Sequence, residues 1–162
     1  MYFSAIGQDS HRFEPDNSNK PLILGGIHIP GCCGLSGNSD ADVLLHALTN
    51  AISGVSGINI LGKIADELCL KEGITDSRVY LERAIETISS YQIIHVSCSI
   101  EAARPRLSAH ISAIRDSLAR LLSIEPRHVC ITATSGEGLT SFGRGEGIQA
   151  FVIVSVKEKN DS

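Results

Sequence analysis

Between Asp40 and Gly54 the chain reads DADVLLHALTNAISG, with Val43, Leu44, Ala47, Leu48, Ala51 and Ile52 recurring at helical spacing. A helix with so broad an apolar stripe must bury it against another layer. Segments of a different period supply that layer. Residues 2–6 (YFSAI) predict a first strand, 93–100 (IIHVSCSI) alternate as a strand, 129–134 (VCITAT) read as a strand entering a glycine-rich loop, and 148–156 (IQAFVIVSV) close the sheet. Further helices are expected at about 76–90, capped by Asp76 or Ser77, and at roughly 106–122. Residues 14–21 (EPDNSNKP) read as an exposed loop, and 22–30 (LILGGIHIP) as a short hairpin broken at Gly25-Gly26. The loop 31–39 (GCCGLSGNS) leads to Ser39 or Asp40 as the expected N-cap of the first helix, with Gly54 as its expected stop. Helices and strands alternate without a G-x-G-x-x-G or G-x-x-x-x-G-K-[ST] fingerprint, so the simplest packing is a sheet covered by helices on one face. One domain over 1–157 is expected, with 158–162 as a frayed polar tail.

Composition bounds the partners. Aromatic residues make up 4% of the 162 residues and Trp is absent, so the core must come from Ile, Leu, Val and Ala. A formal charge of −4 gives no electrostatic footprint for nucleic acid or an anionic membrane, although a local cluster of donors can still hold phosphate. The five cysteines are odd in number and lack C-x-x-C spacing, which argues for reduced thiols in a cytoplasm over a disulfide framework or a cysteine-rich zinc site. Neither a signal peptide nor a membrane anchor is expected from the opening MYFSAIGQDSHRF.

Three segments carry groups with chemical potential. Asp9 and His11 alternate on a strand and can approach one point, as a carboxylate and an imidazole suited to a divalent ion, although D-x-H is common by chance. Asp42 and His46 stand one helical turn apart, which fits a ligand pair. It equally fits an acidic first turn with a half-buried histidine. In 132–147 (TATSGEGLTSFGRGEG), glycines accompany Thr134, Ser135, Thr140, Ser141 and Arg144, all phosphate donors, while Glu137 can hold a cation that bridges phosphates. A mobile glycine-rich connection fits that segment as well. His28, His95, His110 and His128 lack motif context and read as surface or edge residues.

Taken in order, IGQDSHRF, LILGGIHIP, GLSGNSDADVLLHALTNAISG and TATSGEGLTSFGRGEGI resemble the 2-C-methyl-D-erythritol 2,4-cyclodiphosphate synthase family over about residues 5–155. The resemblance implies an α+β subunit with a four-stranded mixed sheet, helices on one face, and a homotrimer with active sites between subunits. It implies conversion of 4-diphosphocytidyl-2-C-methyl-D-erythritol 2-phosphate to the cyclic diphosphate with release of CMP. It puts zinc, or manganese or cobalt in its place, on Asp9, His11 and His46, and a second ion, magnesium or manganese, on Glu137. Thr134, Ser135 and Arg144 match phosphate-contacting positions, and 102–108 (AARPRLS), with Ala102, Pro105 and Arg106, falls where the family forms its cytidine pocket. Ser39 is retained beside the substrate.

Several positions depart from the family. A histidine that precedes S-D-x-D is here Asn38, which can donate a hydrogen bond but cannot carry charge, so Asn38 and Ser135 stand as the candidate catalytic residues. The G-D-I-G motif aligns with Asn59-Ile60-Leu61-Gly62, which keeps Gly62 and loses the acid that binds substrate hydroxyls. The 59–69 stretch is expected to be a rebuilt loop in which Asp66 or Glu67 takes over that contact. These departures also motivate an alternative, a non-catalytic trimeric binder of cytidine or isoprenyl diphosphates.

Overall fold

The computed structural model describes residues 1–159. Strand β1 spans Tyr2–Arg12, a hairpin joins β2 (Pro21–Leu24) to β3 (Ile27–Cys33), and helix α1 covers Val43–Ser56. Helices α2 (Lys63–Glu72) and α3 (Ser77–Glu86) precede β4 (Tyr91–Glu101), α4 (Ile111–Leu122), β5 (Val129–Thr134) and β6 (Gly147–Glu158). The main sheet runs β1-β6-β4-β5, antiparallel at β1/β6 and β6/β4 and parallel at β4/β5. It is therefore a four-stranded mixed sheet in an α+β chain with four helices, and the hairpin forms a separate two-stranded sheet.

Alternation along the strands decides which face is covered. Ile148, Ala150, Val152, Val154 and Val156 of β6 are buried, as are Val96, Cys98 and Ile100 of β4 and Val129 of β5. Helix α1 lies over β1 and β6 and α4 over β5 on that face, while α3 packs outside α1. The opposite face carries exposed Ile6, Phe151 and Ile153, with Ile6 and Ile153 directly paired across β1 and β6. Phe13 and Tyr80 are the aromatic members of a buried cluster built otherwise from aliphatic side chains, Cys98 and alanines.

Two contacts bring α1 to its place. At Gly7 the helix approaches β1 so closely that an added Cβ would meet the Ala47 carbonyl oxygen at 2.1 Å and the Ala51 nitrogen at 2.2 Å. Only glycine permits this approach. Asp42, fully buried, then accepts the backbone N–H groups of Gly25 (2.9 Å), Gly26 (2.7 Å) and Leu45 (3.0 Å). One carboxylate thus caps α1 and fastens the turn of the hairpin, where Gly25 and Gly26 have φ of +61° and +78°. Burial pushes Asp42 up to about 6 against the pull of those three donors.

Several boundaries differ from the sequence expectation. The N-cap is Asp42, not Ser39 or Asp40, and α1 runs through Gly54 to a left-handed cap at Gly57, because Gly54 faces Ala5 in a tight helix–strand contact. The rebuilt loop expected at 59–69 is largely helix. Ala65 faces inward, Leu68 packs against the core, Glu67 pairs with Lys71 one turn on, and Gly73 closes the helix. The tail expected from 158 does not start there: Glu158 belongs to β6, and Lys159 donates its backbone N–H to Ser90 (2.9 Å) and its ammonium to Ser89 (2.8 Å). The rest of that expected tail lies outside the described residues.

Replacing Gly7 by Ala should cost about 3 kcal/mol, the upper part of the usual range for overpacking, because the new methyl meets backbone and not a flexible side chain. Urea denaturation of the two proteins measures the difference.

Candidate metal centre and substrate clefts

The closeness of α1 and β1 has a chemical result. Asp9 and His11, alternate residues on the helix-covered side of β1, face His46 on the second turn of α1. Asp9 Oδ2 lies 2.8 Å from His11 Nε2 and 3.1 Å from His46 Nδ1, and the two ring nitrogens are 3.2 Å apart. A tetrahedral ion with bonds of about 2.0–2.1 Å sets its ligand atoms about 3.3 Å apart, so the three need open only slightly to accept one. The second nitrogen of His11 is fixed as well. Nδ1 lies 2.8 Å from the Ser36 carbonyl, which can only accept, so Nδ1 carries a proton and Nε2 is the atom offered to a metal.

Burial pushes Asp9 up, but hydrogen bonds from His11 and His46 outweigh it and bring the carboxyl down to about 2. Burial likewise opposes the charge on His11, and the hydrogen bond to Asp9 more than offsets it, raising the imidazole above its ordinary 6.5. Asp9, His11 and His46 can thus hold a divalent metal once His11 gives up its Nε2 proton.

The triad opens into a cleft of about 240 Å³ that also bears Asn38, Ser39, Gly62 and Asp66. Of the two acids proposed to replace the lost carboxylate, Asp66 lines this cleft, whereas Glu67 points towards Lys71 (3.7 Å). Ile60, at the position of the missing acid, is buried in the core. Cys69 and Asn50 also border the cleft and were not anticipated. Cys69 Sγ donates to the Asn38 carbonyl (3.3 Å), latching α2 to the loop before α1, and Asn50 Nδ2 donates to the Gln8 carbonyl (3.1 Å). Asn50 stands one turn beyond His46, a spacing that could have marked it.

A second cavity of about 450 Å³ is lined by Ala102, Pro105, Arg106, Thr134 and Ser135. Glu137 and Arg144 border neither cavity. Glu137 is exposed at φ +51° on the loop after β5, and Arg144 is exposed with its guanidinium on Glu146 (3.1 Å) and Ser141 (3.1 Å). The expected site residues therefore fall into two separate clefts and one exposed loop. Asp42, considered alongside His46 from its spacing, is no part of either cleft. His28, His95, His110 and His128 join no group able to hold a metal among the described residues.

Residues 2–157 match the YgbB family. The chain belongs to that family. It is 49% identical over 159 residues to the 2-C-methyl-D-erythritol 2,4-cyclodiphosphate synthase of Chlamydia caviae, covering 98% of this chain and 90% of that one. The synthase of Chlamydia muridarum is 48% identical, with 98% and 89% covered. A solved 2-C-methyl-D-erythritol 2,4-cyclodiphosphate synthase superposes with a TM-score of 0.85 at 30% identity, covering 96% of this chain and 100% of the other. The bifunctional IspDF of Campylobacter jejuni superposes at 0.88 and 28% identity, and there the match takes in 99% of this chain and 43% of the longer one. The activity is that of a cyclodiphosphate synthase, a cyclising lyase of the non-mevalonate route to isoprenoid precursors. No helix among the described residues is long and apolar enough to cross a membrane.

The two titrations set a pH window. Asp9, at about 2 against an ordinary 3.8, contributes stability above pH 3.8 that is lost as pH falls towards 2. His11, raised above 6.5, contributes stability below pH 6.5 that is lost as pH rises through its folded value. In chelator-treated protein, Asp9→Asn should therefore lower Tm most between pH 3.8 and 6.5, with the gap narrowing on either side. Thermal melts of both proteins across pH check this.

Proposed function

We propose that Asp9, His11 and His46 hold zinc, or manganese or cobalt in its place, and that the chain works as a cytoplasmic homotrimer whose active sites form between subunits. The observation that carries the metal assignment is the convergence of Oδ2 of Asp9, Nε2 of His11 and Nδ1 of His46 within 3.2 Å of one another, beside a cleft. Three protein ligands leave a fourth tetrahedral position for a substrate oxygen. When bound there, the ion would polarise and orient the β-phosphate of 4-diphosphocytidyl-2-C-methyl-D-erythritol 2-phosphate. An oxygen of the 2-phosphate then bonds to the β-phosphorus as the bond to the bridging oxygen breaks, and CMP departs with that oxygen.

The remaining work falls to side chains around the two clefts. Asn38, beside the metal ligands, offers an amide donor to the charge that develops on the transferring phosphate, and Ser39 and Gly62 border the same space. Asp66 accepts hydrogen bonds from the erythritol hydroxyls in place of the acid missing at Ile60. In the second cleft Ala102, Pro105 and Arg106 take the cytidine, and Thr134 with Ser135 takes its phosphates. A solved synthase with CDP bound, 27% identical at a TM-score of 0.76, supports a cytidine nucleotide as ligand. Glu137 would hold magnesium or manganese on the phosphates, and Arg144 would exchange its intramolecular partners for phosphate oxygens.

Two observations support the trimer. The metal cleft and the cytidine cleft are separate within one chain, although a single substrate must reach both. The bare sheet face with Ile6, Phe151 and Ile153 is the kind of surface that an interface covers. Five free cysteines accord with a reducing cytoplasm.

Phosphorus NMR with CMP assay, on purified protein with the diphosphocytidyl substrate, zinc and magnesium, tests the reading. A cyclic diphosphate with stoichiometric CMP is expected; CMP with an open diphosphate would instead mean hydrolysis and overturn it. Asn38→Ala should lower kcat by about 10²–10³, as for loss of one donor to a transition-state anion. Asp66→Ala should act through KM, lowering kcat/KM by roughly 10–100-fold for a lost hydrogen bond to a charged group.

A further inference from the structure

His46 is held from behind as well as offered to the cleft. Its Nδ1 faces Asp9 and His11, while Nε2 lies 2.9 Å from the hydroxyl oxygen of Ser77, the first residue of α3 and fully buried. That hydroxyl has one proton, and its destination is fixed. It donates to Asp40 Oδ1, and a carboxylate can only accept. Asp40 is itself anchored, with Oδ2 taking the backbone N–H of Ser77 (3.1 Å) and Oδ1 that of Asp42 (3.1 Å). With its proton committed, Ser77 presents only a lone pair to His46. Nε2 is then a protonated nitrogen, and Nδ1, which faces Asp9 Oδ2 at 3.1 Å, is the one left to bind an ion. Ser39 Oγ is the more distant neighbour of Nε2, at 3.5 Å.

We propose that Asp40 and Ser77 are positioning residues: a relay from Asp40 through Ser77 fixes the tautomer and orientation of His46, so that Nδ1 is always presented as a metal ligand. The inference rests on the assignment of His46 as a ligand. It gives the two acids of Ser39-Asp40-Ala41-Asp42 separate duties, since neither joins the metal group: Asp42 fastens the hairpin to α1, and Asp40 orients the histidine through the neighbouring helix. It also makes α3 part of the site without touching substrate. The relay is a polar chain, buried at His46 and Ser77 and half-buried at Asp40, whose every donor has an acceptor, the condition under which such a chain specifies one arrangement.

Two measurements test it together. Nitrogen-15 NMR of zinc-loaded wild-type protein should show His46 bound through Nδ1 with its proton on Nε2; zinc bound through Nε2 would overturn the relay whether or not any variant folds. Zinc titration against a chromophoric chelator should give one ion per chain for wild type. Ser77→Ala and Asp40→Asn should bind about 10–100-fold more weakly, the usual cost of losing an outer-shell partner, with unchanged circular dichroism. In Asp40→Asn the amide can donate to Ser77, turn its hydroxyl towards His46 and put the histidine proton on Nδ1. Wild-type affinity in both folded variants would contradict the relay alone, whereas no stoichiometric zinc binding by wild type would contradict the ligand assignment beneath it.

Discussion

Helix α1 meets strand β1 backbone to backbone at Gly7, where an added Cβ would lie 2.1 Å from the Ala47 carbonyl oxygen. That contact sets the spacing of every group in the metal centre. Asp9 and His11 follow Gly7 on the same side of β1, and His46 immediately precedes Ala47. A wider separation, of the kind a side chain at residue 7 would force, would carry His46 out of ligand distance. The buried face of β6 continues the same surface with Ala150 and Val152 beside β1, so the sheet presents a flat bed on which the helix rests. Packing, not the propensity of any single segment, brings the three side chains together.

Polar contacts then orient what packing assembles. Asp42 ties the start of α1 to the Gly25-Gly26 turn, the Ser36 carbonyl fixes the outer nitrogen of His11, and Ser77 meets the outer nitrogen of His46. These partners come from the hairpin, from the loop before α1 and from α3, so the centre draws on elements far apart in the sequence. Cys69 adds a fourth tether by holding α2 to the carbonyl of Asn38. The cleft wall that departs most from the family pattern, α2 with Asp66, is therefore fastened to the loop that bears the other departure.

The strands and α1 were legible because each carries one clean period. β5 falls on its expected bounds, and the four-stranded mixed sheet is as the resemblance implied. Asp9, His11 and His46 were legible as types at suitable spacings, although neither pair was distinguishable from chance without the other. Helix α2 escaped notice because only Ala65 is buried in it and its apolar residues are interleaved with exposed Lys, Asp and Glu. Asp42 read as a helix-dipole acid or a ligand partner, and its link to Gly25 and Gly26 depends on a tertiary approach that spacing does not encode. The division of the site residues between two clefts is likewise a matter of where the Ala102–Ser108 turn sits relative to β1.

The α1–β1 contact brings Asp9, His11 and His46 together as the proposed seat of a divalent ion. Zinc-edge X-ray absorption of the stoichiometrically loaded protein tests it most directly. Two imidazoles with nitrogen and oxygen neighbours at about 2.0–2.1 Å are predicted. A sulfur neighbour at about 2.3 Å, as Cys69 at the cleft edge would supply, or a first shell without imidazole, would contradict it.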